Sequence, residues 1–396
     1  MTQFLKRTWA EVNLDAIQHN FRAIAGSLTG GCRAMAIVKA DAYGHGAGYV
    51  SRALRAAGAD WFGVSNLDEA LQIRKAGISE SILILGYTPP KEAARLAAFG
   101  ITQTVFNREY GEELSAAASA AGVEVRVHIK LDTGMSRIGF LCQREEKLDD
   151  AADEVAAVCR LPGLAPEGVF THFASADEED GEAFTRLQFS LFRHTIDALE
   201  KRGVHFALRH CCNSAATMLY PEMHMDMVRP GLILYGLLPA SWLDGRLPLQ
   251  PAMELKTVVS MVKTVPAGSV VSYGRTYAAA GDATLATVPI GYADGYPRCF
   301  SNRAEMLVNG RRAPVTGRVC MDQCMLDVSD MTDVREGMVV TVFGRDGGAS
   351  LPVEEFAALS GTINYESICL IGKRVPRIFQ SGGRTVGQLN YIVPED

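Results

Sequence analysis

The chain has 396 residues, 48% of them apolar and 21% charged, and a formal net charge of −6. This composition is typical of a globular protein with a large core, and because no basic run occurs we expect no nucleic-acid partner. The N-terminus lacks the apolar segment of a signal peptide, and no stretch reaches the roughly 18 apolar residues that cross a bilayer, so we expect a cytoplasmic protein without membrane contact.

Short β-rich runs alternate with amphipathic runs from Arg33 to about Gly236. Apolar residues recur at helical spacing in DEALQIRKAG and KEAARLAAFG, and each of these runs closes on glycine. Eight strands are predicted, at residues 33–38, 61–65, 82–87, 103–106, 124–131, 167–173, 205–211 and 225–228. Eight strand–helix units predict parallel strands closed into a (β/α)8 TIM barrel. A doubly wound open sheet is the main alternative, and the count of eight favours the barrel.

The pattern changes after about residue 237. A segment with two prolines, 238–249, is followed by short alternating runs such as LKTVVSMVKTV and MVVTVFG, which glycine and proline separate. These runs predict a mainly antiparallel β domain with one helix at VEEFAALSG. We therefore predict a barrel domain at 1–240 and a β domain at 241–396. The early run 8–14 precedes the first barrel helix and is a candidate to pair with the second domain.

Nine cysteines, an odd number, are scattered along the chain without a CxxC pair. This pattern is typical of free thiols in a reducing compartment. The adjacent Cys211 and Cys212 follow His210, but neighbouring ligands do not match the spacing of structural zinc sites. A buried strand is the favoured interpretation, and we expect no metal.

The segment AIVKADAYGHG places Lys39 directly after an apolar strand. TIM barrels carry their active sites at the carboxyl ends of their strands. An exposed strand-edge lysine is the ordinary interpretation, but desolvation at a strand end can make a lysine a Schiff-base nucleophile. Gly44, Gly46 and Gly48 form G-x-G-x-G rather than G-x-G-x-x-G, which argues against a dinucleotide site.

Two later loops are candidates for binding a phosphate. Asn213 and Ser214 follow the seventh predicted strand and open a helical run, while Arg229 and Gly231 follow the eighth strand. A hydroxyl combined with backbone N–H groups at a helix start is a natural phosphate site. An ordinary helix cap is the commoner meaning of Asn-Ser. The occurrence of two such loops on adjacent strands favours the phosphate site.

Further polar residues close the middle strands. Lys130 and Asp132 end the fifth strand, Arg137 follows them, and His172 ends the sixth strand. A single histidine is usually structural. One that lies on the same rim as Lys39 is a candidate for proton transfer.

Nine segments, in order, resemble the alanine racemase family, which is pyridoxal-phosphate-dependent and of fold type III. They are AIVKADAYGHG, KLDTGMSRIGF, THFASAD, NSAAT, VRPGLILYG, SYGRT, PIGYADGYPR, GRVCMDQ and TINYE. The family's barrel and C-terminal β domain agree with the strand count made above. The resemblance implies an isomerase that interconverts L- and D-alanine by two-base proton transfer, with pyridoxal 5'-phosphate as cofactor.

The resemblance also implies roles for single residues of the barrel. Lys39 forms a Schiff base with the cofactor and is one catalytic base, and Tyr273 is the other. The phosphate is held by Tyr43, Ser214, Gly231, Leu232 and Tyr365, with Asn213 beside them. Arg229 faces the pyridine nitrogen, and His172 links it to Tyr273.

Further roles concern the substrate. Arg137 contacts the phenolic oxygen of the cofactor and the substrate carboxylate, and Lys130 corresponds to a lysine that can be carbamylated to position Arg137. The pocket for the small amino-acid substrate is shaped by Tyr292, Met321 and Asp322. In the family these three residues and Tyr273 come from the other subunit of a head-to-tail homodimer, so we expect shared active sites.

Three other functions are compatible with parts of the pattern. A racemase for serine or a broader set of amino acids would use the same machinery, although Tyr365 matches the alanine type. A non-catalytic pyridoxal-phosphate-binding protein resembles a single barrel, against which the segment 242–396 argues. A fold-type-III decarboxylase would carry a glycine-rich phosphate loop and a paired-cysteine motif, which this sequence does not show.

Overall fold

The structure is a computed structural model that describes residues 5–393. The chain divides into two compact units. The first unit comprises residues 16–42 and 47–251, and the second comprises the chain up to Asp15, residues 43–46 and everything from Ala252 onward. The assignment of 43–46 to the second unit was not anticipated from the sequence. Within the described range, no helix is long and apolar enough to cross a bilayer.

The first unit is built on a parallel sheet. After β1 (Thr8–Asn13), which belongs to the second unit, its strands are β2 (Arg33–Ile37), β3 (Trp61–Val64), β4 (Ser81–Ile84), β5 (Ile101–Val105), β6 (Val125–Asp132), β7 (Phe140–Leu141), β8 (Leu164–Phe170), β9 (Leu208–His210) and β10 (Met227–Val228). Strand β10 pairs with β2, and β6 pairs with both β5 and β8, so eight strands close into a barrel while β7 lies outside β6. The predicted TIM barrel is confirmed, with several strands shorter than expected.

Helices connect the barrel strands. They are α1 (Leu14–Ser27), α2 (Lys39–Tyr43), α3 (Ala47–Ala56), α4 (Leu67–Lys75), α5 (Ala93–Ala98), α6 (Arg108–Ala121), α7 (Leu148–Cys159), α8 (Glu182–Glu200) and α9 (Ser214–Leu219). Helix α4 begins where the side chain of Asn66 accepts a hydrogen bond from Glu69 N, and it buries Leu67, Ala70 and Ile73 along one stripe. Strands β3 and β5 are buried at every residue, as expected for parallel strands covered on both faces.

The second unit is a mainly antiparallel sheet, which confirms the predicted β domain. Its strands are β11 (Met253–Val258), β12 (Met261–Val265), β13 (Val270–Val271), β14 (Tyr277–Ala278), β15 (Ala283–Val288), β16 (Glu305–Val308), β17 (Arg311–Thr316), β18 (Cys324–Asp327), β19 (Val339–Asp346), β20 (Ala349–Leu351), β21 (Arg377–Ser381) and β22 (Arg384–Leu389). Two helices, α10 (Val353–Ser360) and α11 (Asn364–Cys369), complete it. Strand β1 lies between β11 and β21, antiparallel to the first and parallel to the second.

Candidate active site

Polar side chains gather at the carboxyl ends of the barrel strands. Lys39 comes two residues after β2, His172 comes two residues after β8, and Arg229 directly follows β10. Lys130 is the third residue from the carboxyl end of β6. Because the strands are parallel, these ends share one rim of the barrel, where TIM barrels carry their active sites.

Lys39 opens a left-handed turn. Residues 40–43 all have positive φ angles, of 51°, 53°, 55° and 53°. Each residue with a side chain costs about 1–2 kcal/mol in this conformation. A hydrogen bond from Ala42 N to Val38 O, at 2.9 Å, closes the turn. Strain of this kind persists only where the surroundings hold it in place, and it is concentrated at functional sites.

Arg229 is buried, and both terminal nitrogens of its guanidinium are hydrogen-bonded. Nη1 donates to Nδ1 of His210 at 2.8 Å, and Nη2 donates to the carbonyl oxygens of Thr171 (2.6 Å) and Cys211 (2.9 Å). Nη2 also lies 3.3 Å from Nδ1 of His172. Burial lowers the pKa of Arg229 to about 10, so the side chain remains cationic at neutral pH.

Two further histidines extend this contact into the barrel. Because an arginine N–H only donates, Nδ1 of His210 must accept, and the ring proton of His210 lies on Nε2. That Nε2 lies 2.8 Å from Nδ1 of His128, and Nε2 of His128 lies 3.5 Å from Oε1 of Glu167. The same Glu167 oxygen accepts a hydrogen bond from Thr102 Oγ1 at 2.7 Å. Burial lowers the pKa of both imidazoles, so both rings are neutral.

His172 is a neutral base surrounded by cations. Burial lowers its pKa well below the ordinary value for histidine, and the positive charges of Arg229, Arg137 and Lys39 add to this effect. A rim with this much positive charge around a desolvated imidazole is suited to an anionic ligand.

Lys130 has an unusual environment for a lysine. Its side chain is 3% exposed, and Nζ finds no hydrogen-bond acceptor among residues 5–393. The ammonium position lies 4.8 Å from the centre of the Phe170 ring. Burial lowers the pKa of Lys130 well below its ordinary value, and the neighbouring Arg229 and Arg137 lower it further. The structure therefore favours a neutral amine at this position.

The two candidate phosphate loops are joined by a hydrogen bond. The hydroxyl of Ser214, the first residue of α9, accepts from Gly231 N at 2.9 Å. Gly231 leads into a short 3-10 turn that begins at Leu232. Asn213 caps α9, since its side chain accepts from Ala216 N at 3.0 Å. The Asn213 side chain is therefore an ordinary helix cap, whereas the Ser214 hydroxyl contacts the Gly231 amide.

Tyr43 and Tyr365 meet within the second unit. Their ring centres are 6.2 Å apart, and burial, followed by the proximity of Tyr365, raises the pKa of the Tyr43 hydroxyl. The segment 43–46 approaches α11 so closely that a Cβ on Gly44, whose φ is 80°, would lie 2.5 Å from Ile368 O. Only glycine fits that contact and that backbone angle.

The second unit also presents three exposed, largely apolar side chains. Tyr273 is 70% exposed, Tyr292 is 43% exposed and Met321 is 51% exposed. Backbone hydrogen bonds join two of their loops, from Tyr292 N to Cys320 O and from Ala293 N to Met321 O, each at 3.1 Å. Exposed aromatic and methionine side chains on connected loops are typical of a surface that another molecule covers.

Asp322 differs from these three residues because it is already paired. Its Oδ1 accepts from Arg374 Nη1 at 2.7 Å, and Arg374 also contacts the buried Asp294 at 3.0 Å. Arg7 forms a second ion pair with Asp294, at 3.0 Å. The Asp322 carboxylate is thus oriented by a charged network within its own unit.

Sequence reasoning missed His128, Glu167 and the role of His210. A signal was present, because His128 and Lys130 are two residues apart on one strand and so face the same side. A histidine in an otherwise apolar buried strand needs a partner, and that requirement identifies such residues as members of a network. The identity of the partner could not be read from the chain order.

The fold and the rim define a class: a TIM-barrel protein with a second, mainly antiparallel β domain and with lysine, arginine and histidine side chains on one rim of the barrel. Residues 12–239 match the family described as "Alanine racemase, N-terminal domain", and residues 252–379 match "Alanine racemase, C-terminal domain". The chain belongs to the alanine racemase family.

Individual relatives agree with this assignment. An alanine racemase of Desulforamulus reducens is 47% identical over 372 residues, covering 94% of this chain and 98% of its own length. One from Desulfovibrio desulfuricans is 48% identical over 379 residues, covering 96% and 100%. The crystal structure of alanine racemase from Bacillus anthracis with bound L-Ala-P has a TM-score of 0.92 at 38% identity and covers 99% of both chains.

Proposed function

We propose that this chain interconverts L- and D-alanine by moving the α proton between two bases, Lys39 and the partner subunit's Tyr273, with pyridoxal 5'-phosphate bound covalently at Lys39. Alanine racemisation is the activity of the family to which the chain belongs. The observation that carries the assignment of the site is the partly buried His172, whose Nδ1 lies 3.3 Å from Nη2 of the buried Arg229 on the rim that also carries Lys39.

The residues of the rim fit this cofactor. Its phosphate and phenolic oxygens are anionic, and the rim is rich in cations. Ser214 and the backbone N–H groups of Gly231 and Leu232 would hold the phosphate, with the Gly231 N–H exchanging Ser214 Oγ for a phosphate oxygen. We extend this role to Tyr43 and Tyr365 because of the resemblance and their ring contact. When bound, the cofactor supplies an electron sink for the charge left on the α carbon.

Arg229 would hold the pyridine nitrogen without giving it a proton. Its guanidinium is still cationic at neutral pH, and it is held in place by His210 and two backbone carbonyls. A guanidinium acts only as a hydrogen-bond donor, so it can stabilise a ring nitrogen that accepts. An unprotonated ring withdraws electrons less strongly, which favours return of the proton over side reactions.

His172 would activate the partner subunit's Tyr273. Since Nδ1 of His172 faces Arg229, its remaining proton lies on Nε2 and can be donated. Free tyrosine has a pKa of about 10, so it needs stabilisation as a phenolate to act as a base at neutral pH. A hydrogen bond from a neutral imidazole backed by an arginine lowers that pKa. The 70% exposure of Tyr273 in this chain supports its use by another copy.

We propose a homodimer in which each copy completes the site of the other. The exposed Tyr273, Tyr292 and Met321 support this arrangement, because a second copy would remove their apolar surface from water. With Asp322 already oriented by Arg374, these residues would form the wall of the substrate pocket. Arg137 would bind the substrate carboxylate, for which a guanidinium fork is well suited.

Carbamylation of Lys130 is part of the proposal. A neutral amine is the nucleophilic form, and burial favours it here. Reaction with carbon dioxide forms an N–C bond, releases one proton and leaves an anionic carbamate. That anion would pair with Arg137 through a charge-assisted hydrogen bond. The unpartnered Nζ supports such a modification.

All nine cysteines lie within residues 5–393 and are free thiols there, which is consistent with a reducing compartment, so we also propose that the enzyme acts in the cytoplasm. The family match over both domains favours racemisation over decarboxylation and over simple cofactor binding. Alanine is the proposed substrate, and a preference for serine or a broader set is the alternative. Racemases of either specificity would use the same catalytic residues and differ only in the shape of the substrate pocket.

A chiral assay tests the proposal. The purified enzyme is incubated with L-alanine, L-serine and other amino acids, and the D-enantiomers are separated and quantified. We expect D-alanine to dominate, and Lys39→Ala to lower its formation by about 10²–10⁴-fold. Lys75→Ala, which removes an exposed lysine of α4, is the matched control. Carbon dioxide release, or undiminished racemisation by Lys39→Ala, contradicts the proposal.

A further inference from the structure

Glu69, on helix α4, reaches out of its own helix to the turn that follows Lys39. Its Oε1 accepts a hydrogen bond from Ala40 N at 2.8 Å, and its Oε2 accepts from Ser65 N at 2.7 Å. One carboxylate therefore ties together the loops that follow β2 and β3.

A second side chain of α4 holds the next residue of the turn. Gln72 Nε2 donates to Asp41 Oδ1 at 3.1 Å, and the same oxygen accepts from Ala47 N at 2.7 Å. Glu69 and Gln72 are three residues apart, so they share one face of α4. The left-handed turn is thus held by α4 on one side and by the start of α3 on the other.

The hydrogen-bond partners of the Glu69 carboxylate differ from those usual at its position in a helix. A glutamate at the third position of a helix commonly returns to the backbone N–H of the N-cap residue and so completes a capping box. In this helix Asn66 accepts from Glu69 N at 3.0 Å, but the Glu69 carboxylate binds Ala40 and Ser65 instead. The Glu69 carboxylate therefore does not complete the capping box of α4, and instead it accepts the N–H of Ala40 in the turn.

The Ala40 amide is the one whose orientation matters for Lys39. It belongs to the peptide unit that joins the two residues, and that unit is planar. Fixing the N–H therefore fixes the Cα–C bond of Lys39, the bond about which the rest of that residue is oriented. Without this hold, residues 40–43 would relax from the left-handed region, since side chains disfavour it.

We propose that Glu69 is a positioning residue for Lys39. Its carboxylate keeps the Ala40 amide in place, so that the turn stays left-handed and the Lys39 amine stays aimed at the substrate. This inference rests on the role of Lys39 in the proposed function. Small misplacements of a catalytic group are costly even when the responsible change is remote from the chemistry.

The test combines exchange with kinetics. Glu69→Ala removes both acceptor oxygens, whereas Glu69→Gln keeps the size and one acceptor. Asp68→Ala is the matched control, because Asp68 is exposed in the same first turn of α4. Amide hydrogen exchange of the peptide covering 38–47 is measured by mass spectrometry on the holoenzyme, together with kcat and KM for L-alanine.

For Glu69→Ala we expect exchange in 38–47 to accelerate by about tenfold or more, since the turn opens locally. We expect kcat to fall about 10- to 100-fold while KM changes little, because the reacting amine is displaced and the substrate contacts remain. Glu69→Gln should lie between this variant and the wild type. Asp68→Ala should stay within about twofold of the wild type in all three quantities.

Wild-type exchange in Glu69→Ala, or faster exchange with unchanged kcat, overturns the inference. If Glu69→Ala does not fold, a wild-type exchange rate and kcat in Glu69→Gln overturn it equally. The exchange measurement does not depend on the role of Lys39. Failure of the proposed function would instead show as retained activity of Lys39→Ala, so the two failures are distinguishable.

Discussion

Nε2 of His210 and Nδ1 of His128 lie 2.8 Å apart inside the barrel, with the other nitrogen of His210 occupied by Arg229. Since the guanidinium cannot accept, Arg229 donates to His210 and His210 donates to His128, whose Nε2 lies 3.5 Å from Oε1 of Glu167. The two neutral rings therefore serve to aim Arg229 rather than to carry charge.

Breaking this series of hydrogen bonds should lower both kcat and the free energy of unfolding. His210→Phe keeps the ring that stacks on Phe170, at 4.8 Å between centres, but removes the acceptor for Arg229 and the donor to His128. We expect a loss of about 1–3 kcal/mol in the free energy of unfolding for each buried polar group left unpaired, together with a lower kcat. His194→Phe, at an exposed histidine, is the control. Urea unfolding and alanine kinetics test this, and a wild-type kcat in His210→Phe would contradict it.

The buried histidines predict that the protein loses stability in mild acid. Burial lowers the folded-state pKa of His128, His172 and His210, so below the unfolded value of about 6.5 the unfolded chain binds more protons than the folded one. Stability is therefore full above that pH and falls below it, by about 1.4 kcal/mol per pH unit for each ring. Unfolding free energies between pH 5.5 and 7.5 measure this slope, which His210→Phe should reduce. A flat profile would refute the prediction.

Removing the hydroxyl of Tyr273, the proposed second base, should slow proton removal from L-alanine more than from D-alanine. In Tyr273→Phe we expect proton removal from L-alanine to slow by about 10²–10⁴-fold, because a general base is lost. Removal from D-alanine should be less affected, since it uses Lys39. Loss of deuterium from each α-deuterated enantiomer separates the two steps. Tyr277→Phe, which loses only a hydroxyl bound to Asp327, should behave as wild type. Equal slowing for both enantiomers would argue against a Tyr273 base on one face.

A shared active site can be tested by mixing two inactive variants. Lys39→Ala and Tyr273→Phe subunits that pair at random give mixed dimers, in which one site has both bases and the other has neither. Because half of the dimers are mixed, we expect about a quarter of wild-type activity to return. Each variant mixed with itself provides the control. No recovery, despite subunit exchange confirmed by mass spectrometry, would show that each chain builds its own site.

Carbamylation of Lys130 predicts a dependence on carbon dioxide. With ¹³C-labelled bicarbonate, we expect a carbamate resonance in the NMR spectrum, since a neutral buried amine reacts. Lys130→Arg should lose the signal, and Lys147→Arg, at an exposed lysine paired with Asp150, should keep it. A wild-type enzyme that binds substrate normally without the resonance would rule out the modification.

Much of the scaffold follows from local patterns. Helical spacing and short apolar runs were sufficient to predict eight barrel strands, and the end of each strand located Lys39, His172 and Arg229 on one rim. The helix α10 was likewise predicted from its own residues. These features depend on neighbours a few positions away, which is why the order of residues reveals them.

The tertiary structure decided the contacts that give the rim its chemistry. The His128–His210 bond joins residues 82 positions apart, and the Glu69–Ala40 bond joins residues 29 apart. Both depend on which strands become neighbours and on the depth at which each side chain is buried. The neutral state of Lys130 likewise comes from burial beside other cations. Desolvation and long-range pairing arise only when the barrel closes, so the sequence alone determined the scaffold and the positions of its polar residues, whereas folding determined their protonation states and partners.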